Sequence, residues 1–307
     1  MGDGMGDGVN ETELLAERFE EHRGHVRAVA YRMLGSLAEA EDAVQETWLK
    51  LGRVDAGEIR NLGGWLTTVV GRVCLDLLRT RTARREDPLD DTFVPDPVIR
   101  PLVQGDPEQE VLQADSVGLA LMIVLETLEP AERLAFVLHD MFAVPFDDIA
   151  PILDRGSAAT RQLASRARRR VQGATPSADL DLGRQREVVD AFRAASVVGD
   201  FDALLAVLHP DIVLRVDSGA LVGGAAASKL VRGARSVAEQ AMLFRQFAPL
   251  ARLALVSGGV GMVNAPDGRL QSVMGVTVAY GRIVEMYILA DPERLAVLDL
   301  PDALDLG

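Results

Sequence analysis

A single cysteine, Cys74, is all the thiol chemistry that the 307 residues hold. One thiol cannot close an internal disulfide, and no Cys/His cluster has the spacing of a zinc site, so no metal is expected and a reducing cytoplasm fits best. On an apolar helix face, Cys74 reads as a small buried residue. Long apolar runs are missing too. The longest, Val117 to Leu125, contains Gly118 and falls far short of the ~20 residues that a bilayer-spanning helix needs. No basic segment followed by an apolar one opens the chain, so no secretion signal is read there. Basic residues are outnumbered, 32 against 46 acidic, for a net charge of -14. That balance argues against a simple sequence-independent nucleic-acid binder, because the whole-chain field repels phosphate. Only a local basic patch could engage DNA.

What is present divides into three blocks. The Gly-Asp-Gly repetition in residues 1–8 makes 1–12 a disordered start. Pro88, Pro95, Pro97, Pro101 and Pro107, set among acids, make 87–107 an extended linker, and Gly173, Pro176, Ser177 and Gly183 mark a second at 173–183. The first block, 13–86, is helical. Leu14, Phe19, Val26, Val29 and Met33 recur at helical spacing, and Ser36 stands three residues before Glu39 as a capping box for a helix to about Leu51. A third helix is expected from Trp65 towards Arg85, after Gly63 and Gly64. The second block, 108–172, is also helical, with breaks near Glu129-Pro130 and Ala143 to Pro145. The third, 184–300, places two helices, Gln185 to Val198 and Phe201 to Leu208, before short strands such as Ile212 to Asp217. Pro266-Asp267-Gly268 and Tyr280-Gly281-Arg282 read as turns between strands. Ser236 with Glu239 reads as a capping box for a helix through Phe247. Helices followed by an antiparallel run indicate an α+β unit, with 301–307 as a tail.

On the second helix, Ala40, Ala43, Val44, Trp48 and Leu51 form an inward stripe, which leaves Asp42, Gln45 and Glu46 on another face. The third helix sets Arg72, Arg79, Arg81, Arg84 and Arg85 against one acid, Asp76, and a basic stripe of this kind can hold a separated strand. Trp48 and Trp65 read as core residues. The run from Glu39 to Leu51, then Trp65-Leu66 and the basic run ending Arg84-Arg85, closely resembles region two of extracytoplasmic-function sigma factors. The resemblance implies that Asp42, Gln45 and Glu46 dock on the β′ clamp of core RNA polymerase. It also implies that Arg72, Arg79, Arg81, Arg84 and Arg85 meet the minus-ten promoter element, with the loop that draws out bases inside Arg53 to Leu62.

The second block ends in a helix-turn-helix pattern. Phe146, Ile149, Ala150, Ile152 and Leu153 make a short apolar helix that contains Pro151, Asp154-Arg155-Gly156 supplies the turn, and Ser157 to Val171 continues as an arginine-rich helix without acids. Such a helix can enter the major groove. At this order and distance it resembles sigma region four, which implies minus-thirty-five contacts for Ser157, Arg161, Gln162, Arg166, Arg168 and Arg169. Gly156 stands where the family usually has a capping Ser, and Thr160 where it often has Val.

The third block resembles the SnoaL-like branch of the nuclear-transport-factor-two-like fold, a cone of curved sheet wrapped by helices, usually with an apolar pocket open to a small ligand. A subgroup of the sigma family carries this extension in place of a separate anti-sigma protein. Its motifs have counterparts in Phe93-Val94-Pro95-Asp96-Pro97, in Asp217-Ser218-Gly219-Ala220-Leu221 and in Ala290-Asp291-Pro292-Glu293-Arg294-Leu295. The resemblance therefore makes Pro95, Asp96, Pro97, Asp217, Asp291, Pro292 and Glu293 regulatory contacts; Asp291 also reads as a helix cap with Pro at the first helical position.

The expected architecture is thus multi-domain: two all-α sigma domains, a region 2 helical bundle and a region 4 helix-turn-helix, followed by an α+β cone. The expected function is promoter-directed initiation with core RNA polymerase (β′ clamp and β subunits), with the third block as a fused regulator. Two rivals stand beside it. One is a SnoaL-like cyclase or isomerase, for which His209, Asp217 and Glu285 are the residues to test; the other is a ligand-sensing one-component DNA-binding regulator. No nucleophile-base pair or phosphate loop supports catalysis, and Gly219, Gly223 and Gly224 are too loosely spaced for a dinucleotide site, so no catalytic residue and no cofactor are expected.

Overall fold

The computed structural model describes residues 7–54, 59–84, 92–102, 118–174, 179–219, 227–301 and 304. The chain forms two compact units: residues 1–86 with 125–172, and residues 87–124 with 173–307. The Pro-rich linker thus belongs to the second unit rather than hanging between blocks.

In the first unit, α1 (Asp7–Leu34), α2 (Leu37–Leu51) and α3 (Leu62–Arg84) pack on one another. The helix begins at Asp7, inside the stretch that composition assigned to a disordered start. Gly35 (φ 72) ends α1 in the left-handed region that glycine tolerates, and Ser36 then caps α2 by accepting from the Glu39 N–H. The inward stripe of α2 is buried at Ala40, Ala43, Val44 and Leu51, whereas Trp48 is only half-buried. Phe19 meets Trp48 with ring centroids 5.1 Å apart. Trp65 is only half-buried, so it does not fill the core as expected.

The same unit holds α5 (Pro130–Phe136), a wider turn at Val137–Met141, α6 (Phe146–Ile149) and α7 (Ser157–Ala174). Pro130 opens α5 and Pro145 precedes α6, as the expected breaks require. Pro151 does not sit inside a helix: α6 stops at Ile149, and the chain turns through Asp154 (φ 53) into α7. Gly71 of α3 faces Leu134, Leu138 and Ile152, so the helix-turn-helix rests on α3. Arg133, 3% exposed, donates to Glu126 at 2.7 and 3.0 Å and to the Met33 carbonyl at 2.8 Å.

The second unit holds the start of α4 (Leu119–Glu126), which passes into the first unit at Leu125. The unit continues with α8 (Leu182–Val198), α9 (Phe201–Val207) and a seven-stranded sheet. The strands are β1 (Ile99–Arg100), β2 (Leu208–Asp217), β3 (Lys229–Arg232), β4 (Ala251–Val256), β5 (Gly259–Asn264), β6 (Ser272–Ala279) and β7 (Arg282–Leu289), in the order β1-β4-β5-β6-β7-β2-β3. Every pairing is antiparallel except β2 with β7. Helices α8, α9 and α10 (Ala234–Leu243) pack on this sheet around Phe192, Leu204, Leu214 and Met286. Tyr280 (φ 55) and Gly281 (φ 71) form the tight β6–β7 turn whose left-handed residues match strand twist. His209-Pro210-Asp211 is not a turn but part of β2, at the register shift between Leu208 and Val213, where a proline costs no ladder hydrogen bond. Ser236 does not cap α10, because Gly233 (φ 88) already starts that helix, which ends at Leu243.

Two outcomes follow. Glu126→Gln leaves the buried Arg133 without its counter-charge and should destabilise the protein by about 3–5 kcal/mol in urea unfolding. Burial pushes the Cys74 thiol up to about 12. Its thiolate is therefore scarce at pH 8, and a disulfide reagent should label Cys74 only once the protein is denatured.

Candidate functional site

On α2, Asp42, Gln45 and Glu46 are exposed along one face, as their spacing predicts. Leu49, 58% exposed, continues that face, and sequence reasoning missed it. An apolar residue spaced four from Gln45 on an otherwise polar face was the available signal.

The arginines divide by partner. On α3, Arg79 is exposed, with Asp76 3.9 Å away. Arg81 is held by Glu39, and Arg72 reaches the Pro151 carbonyl at 3.4 Å. The side chain of Arg84, the whole of Arg85 and part of the Arg53 to Leu62 loop lie outside the described residues. On α7, the Ser157 hydroxyl donates to Asp147, and Arg161 lies over the Phe146 ring at 5.3 Å. Arg161, Gln162 and Arg169 face solvent. Glu132, 5% exposed, instead draws in Arg166 (3.1 Å) and Arg170 (2.9 Å), and Arg168 pairs with Asp140 at 2.7 Å, which raises its pKa. Thr160, buried, donates to the Gly156 carbonyl at 3.2 Å, which suits the position where the family often has Val.

The second unit brings together described residues of the three motifs for which the resemblance implied regulatory contacts. Arg294 of α11 (Pro292–Leu295) donates to Asp96 at 2.8 Å, to Asp217 at 2.7 Å and to the Val94 carbonyl at 2.5 Å, and lies 4.9 Å over the Phe93 ring. Asp217 also accepts from the Val94 and Gly219 N–H groups, both at 3.2 Å. Asp291 caps α11 by accepting from Glu293 and Arg294. Gly219 (φ 71) passes so close that a Cβ would lie 2.7 Å from Asp291. Downstream, Ser257 and Val98 exchange hydrogen bonds at 2.7 and 3.2 Å, and Ile99 pairs with Val256. Pro95, Asp96 and Pro97 are buried, whereas Pro292 and Glu293 are exposed. Arg294, part of the same motif but not singled out as a contact residue, makes the contacts that those two were expected to make. Ala220 and Leu221 of the middle motif lie outside the described residues.

A cavity of about 310 Å³ opens on the helical side of the sheet, lined by Leu214, Val216, Met286 and Ile288 among others. His209, Asp217 and Glu285 are not in its lining. Strand alternation explains two of them: Asp217 alternates with Val216, and Glu285 with Met286, so each faces away. Glu285 accepts from the Tyr287 hydroxyl, and burial, with Glu285 beside it, holds that phenol well above its usual range.

Comparisons with known proteins agree with this geometry. Sigma-70 region 2 matches residues 18–84, and Sigma-70, region 4 matches residues 119–171. The chain is 40% identical to the ECF RNA polymerase sigma factor SigJ of Mycobacterium tuberculosis H37Rv, over 90% of this chain and 91% of that one. It is 32% identical to a probable ECF RNA polymerase sigma factor, SigI, of M. tuberculosis CDC 1551, over 94% and 97%. The crystal structure of M. tuberculosis SigJ superposes with a TM-score of 0.72 at 36% identity, covering 93% of this chain and all of that one. With two helical sigma regions followed by an α+β sheet domain, the chain belongs to the extracytoplasmic-function RNA polymerase sigma factors.

Proposed function

We propose that this chain joins core RNA polymerase through the α2 face of Asp42, Gln45, Glu46 and Leu49, and reads promoter DNA with α3 and α7. We propose too that its C-terminal domain regulates initiation by holding the linker between the two sigma regions. The single observation that carries the regulatory reading is the clamp of Arg294 and Asp217 on Val94 and Asp96. A tethered contact of this kind need not be tight. At a millimolar effective concentration, a contact of roughly 10 micromolar intrinsic affinity is about 99% formed. No separate anti-sigma protein is then needed, and the setting is the cytoplasm, where polymerase and promoter meet.

The arginine partners support a division of labour at the promoter. Arg79, Arg161, Gln162 and Arg169 are open to DNA. Arg168 must exchange Asp140 for phosphate, a small cost for a half-exposed pair. Arg166 and Arg170 neutralise the buried Glu132, so they hold α7 to α5 as well. The contact of Arg72 with Pro151 carries a further implication. The minus-ten and minus-thirty-five elements lie about 25 base pairs apart, about 85 Å at roughly 3.4 Å per pair. With α3 held against the turn that leads into α7, the two cannot reach both elements, so the first unit is a closed form that opens on the promoter.

Reconstituted transcription tests both halves. The intact chain should co-purify with core polymerase and initiate at a cognate promoter, and Asp42→Lys with Glu46→Lys should weaken co-purification at least tenfold. Deleting residues from about 176 onward should change promoter-dependent transcript yield. Arg294→Ala should reproduce that change in part and speed proteolytic cleavage near residues 93–100. Unchanged yield in both variants removes the regulatory claim, and no initiation at any promoter removes the sigma claim.

A further inference from the structure

The cavity of the second unit and the Arg294 clamp are built from the same strand ends, on opposite faces of the sheet. At the end of β2, Val216 and Ser218 line the cavity, while Asp217 between them turns the other way, to Arg294 and the linker. At the end of β7, Ile288 and then Ala290 line it, and the Ala290 N–H donates to the Asp217 carbonyl at 2.7 Å. The next residue, Asp291, caps the helix that carries Arg294. β6 repeats the arrangement: Met274 lines the cavity, and at Gly275 a Cβ would stand 2.5 Å from Leu119 of α4. A shift of any of these walls therefore moves a residue that holds the linker or seats the start of α4.

The walls are mainly apolar. Met262, Met274 and Met286 come from three adjacent strands, with Phe192 and Phe244 on the helical side, and methionines adapt to the shape of what they enclose. The two cations of the lining are already engaged within the fold: Arg193 lies 3.6 Å from Asp190, and Lys229 donates to Gln240 and lies 5.3 Å from the Phe244 ring centre. A charged guest would give up its hydration for apolar walls, whereas an uncharged one gives up little. At about 310 Å³, the space is roughly ten times a water molecule's share of the liquid, which suits a guest of about ten non-hydrogen atoms.

We propose that this cavity binds a small, uncharged, apolar molecule, and that its occupancy tightens the grip of Arg294 on the linker. An occupant adds packing contacts to Val216, Ile288 and Met274, and so stabilises the strand ends in the positions that Asp217, Ala290 and Gly275 need. Coupling between two sites is reciprocal, so the closed clamp favours the occupant by the same factor by which the occupant favours the closed clamp. This coupling presupposes the proposed hold of the C-terminal domain on the linker, but it is read without polymerase or promoter DNA, which separates its failure from a failure of the transcriptional reading.

The test uses the purified full-length chain, with 1-octanol as the probe and octanoate as its charged counterpart. In calorimetric titration, octanol should bind at least tenfold more tightly than octanoate. At saturating octanol, hydrogen exchange followed by mass spectrometry should slow at least threefold across residues 93–100 and stay unchanged in α1. Arg294→Ala should weaken octanol binding by the same factor and remove its effect on the linker. Met274→Trp, which fills the space, should abolish octanol binding, and thermal melting confirms that each variant is folded. On the unaltered chain alone, the proposal is overturned by no octanol binding, by octanoate binding as tightly, or by a linker that exchanges at the same or a faster rate when octanol saturates. A folded Arg294→Ala with unaltered octanol affinity overturns it as well.

Discussion

One guanidinium organises the second unit. Arg294 satisfies Asp96, Asp217 and the Val94 carbonyl at once, and two of these groups belong to a segment far away in the chain. Asp96 is 1% exposed, and Arg294 supplies a counter-charge for a carboxylate so deeply buried. The planar fork of arginine reaches several acceptors from one position, which a lysine cannot do. Asp217 ties the clamp to the sheet: it ends β2, and the Ala290 N–H, one residue before the α11 cap, donates to its carbonyl at 2.7 Å. The linker is therefore a component of the C-terminal domain, built into the same hydrogen-bond network as its last helix.

Charge balance follows a similar logic in the first unit. The chain is strongly acidic, yet α7 carries no acid, and the repulsion among its arginines is relieved by Glu132 and Asp140 from neighbouring elements. A helix can then be basic enough to approach phosphate while the unit as a whole remains acidic. Phosphate affinity is set by the arginines left over, and salt should weaken it accordingly.

Much of this could be read from local chemistry. The cap at Ser36, the breaks at Pro130 and Pro145, and the turns at Pro266-Asp267-Gly268 and Tyr280-Gly281 depend on residues within a few positions of one another. So does the exposed face of Asp42, Gln45 and Glu46. What was not legible depended on distant partners. Arg294 is an ordinary helix residue until Val94 and Asp96 are brought to it. Glu285 shares a strand face with Ile283 and Tyr287, but alternation alone cannot say which face of a sheet bears a cavity. Ser236 met the pattern of a cap, but the positive φ of Gly233 had already started the helix. His209-Pro210-Asp211 had the composition of a turn and is absorbed by a bulge.

β1 bears on how the protein copes with damage. Two residues long, it is the outermost strand of the sheet and covers the open edge of β4 with a segment from elsewhere in the chain. An uncovered β4 edge would invite pairing with other molecules. A nick in the linker therefore does more than free the segment that Arg294 holds; it strips the guard from an aggregation-prone border. Pro95 and Pro97, beside the freed strand, lack the N–H groups that stacking with its own kind would need, which limits self-association at the other end of the break.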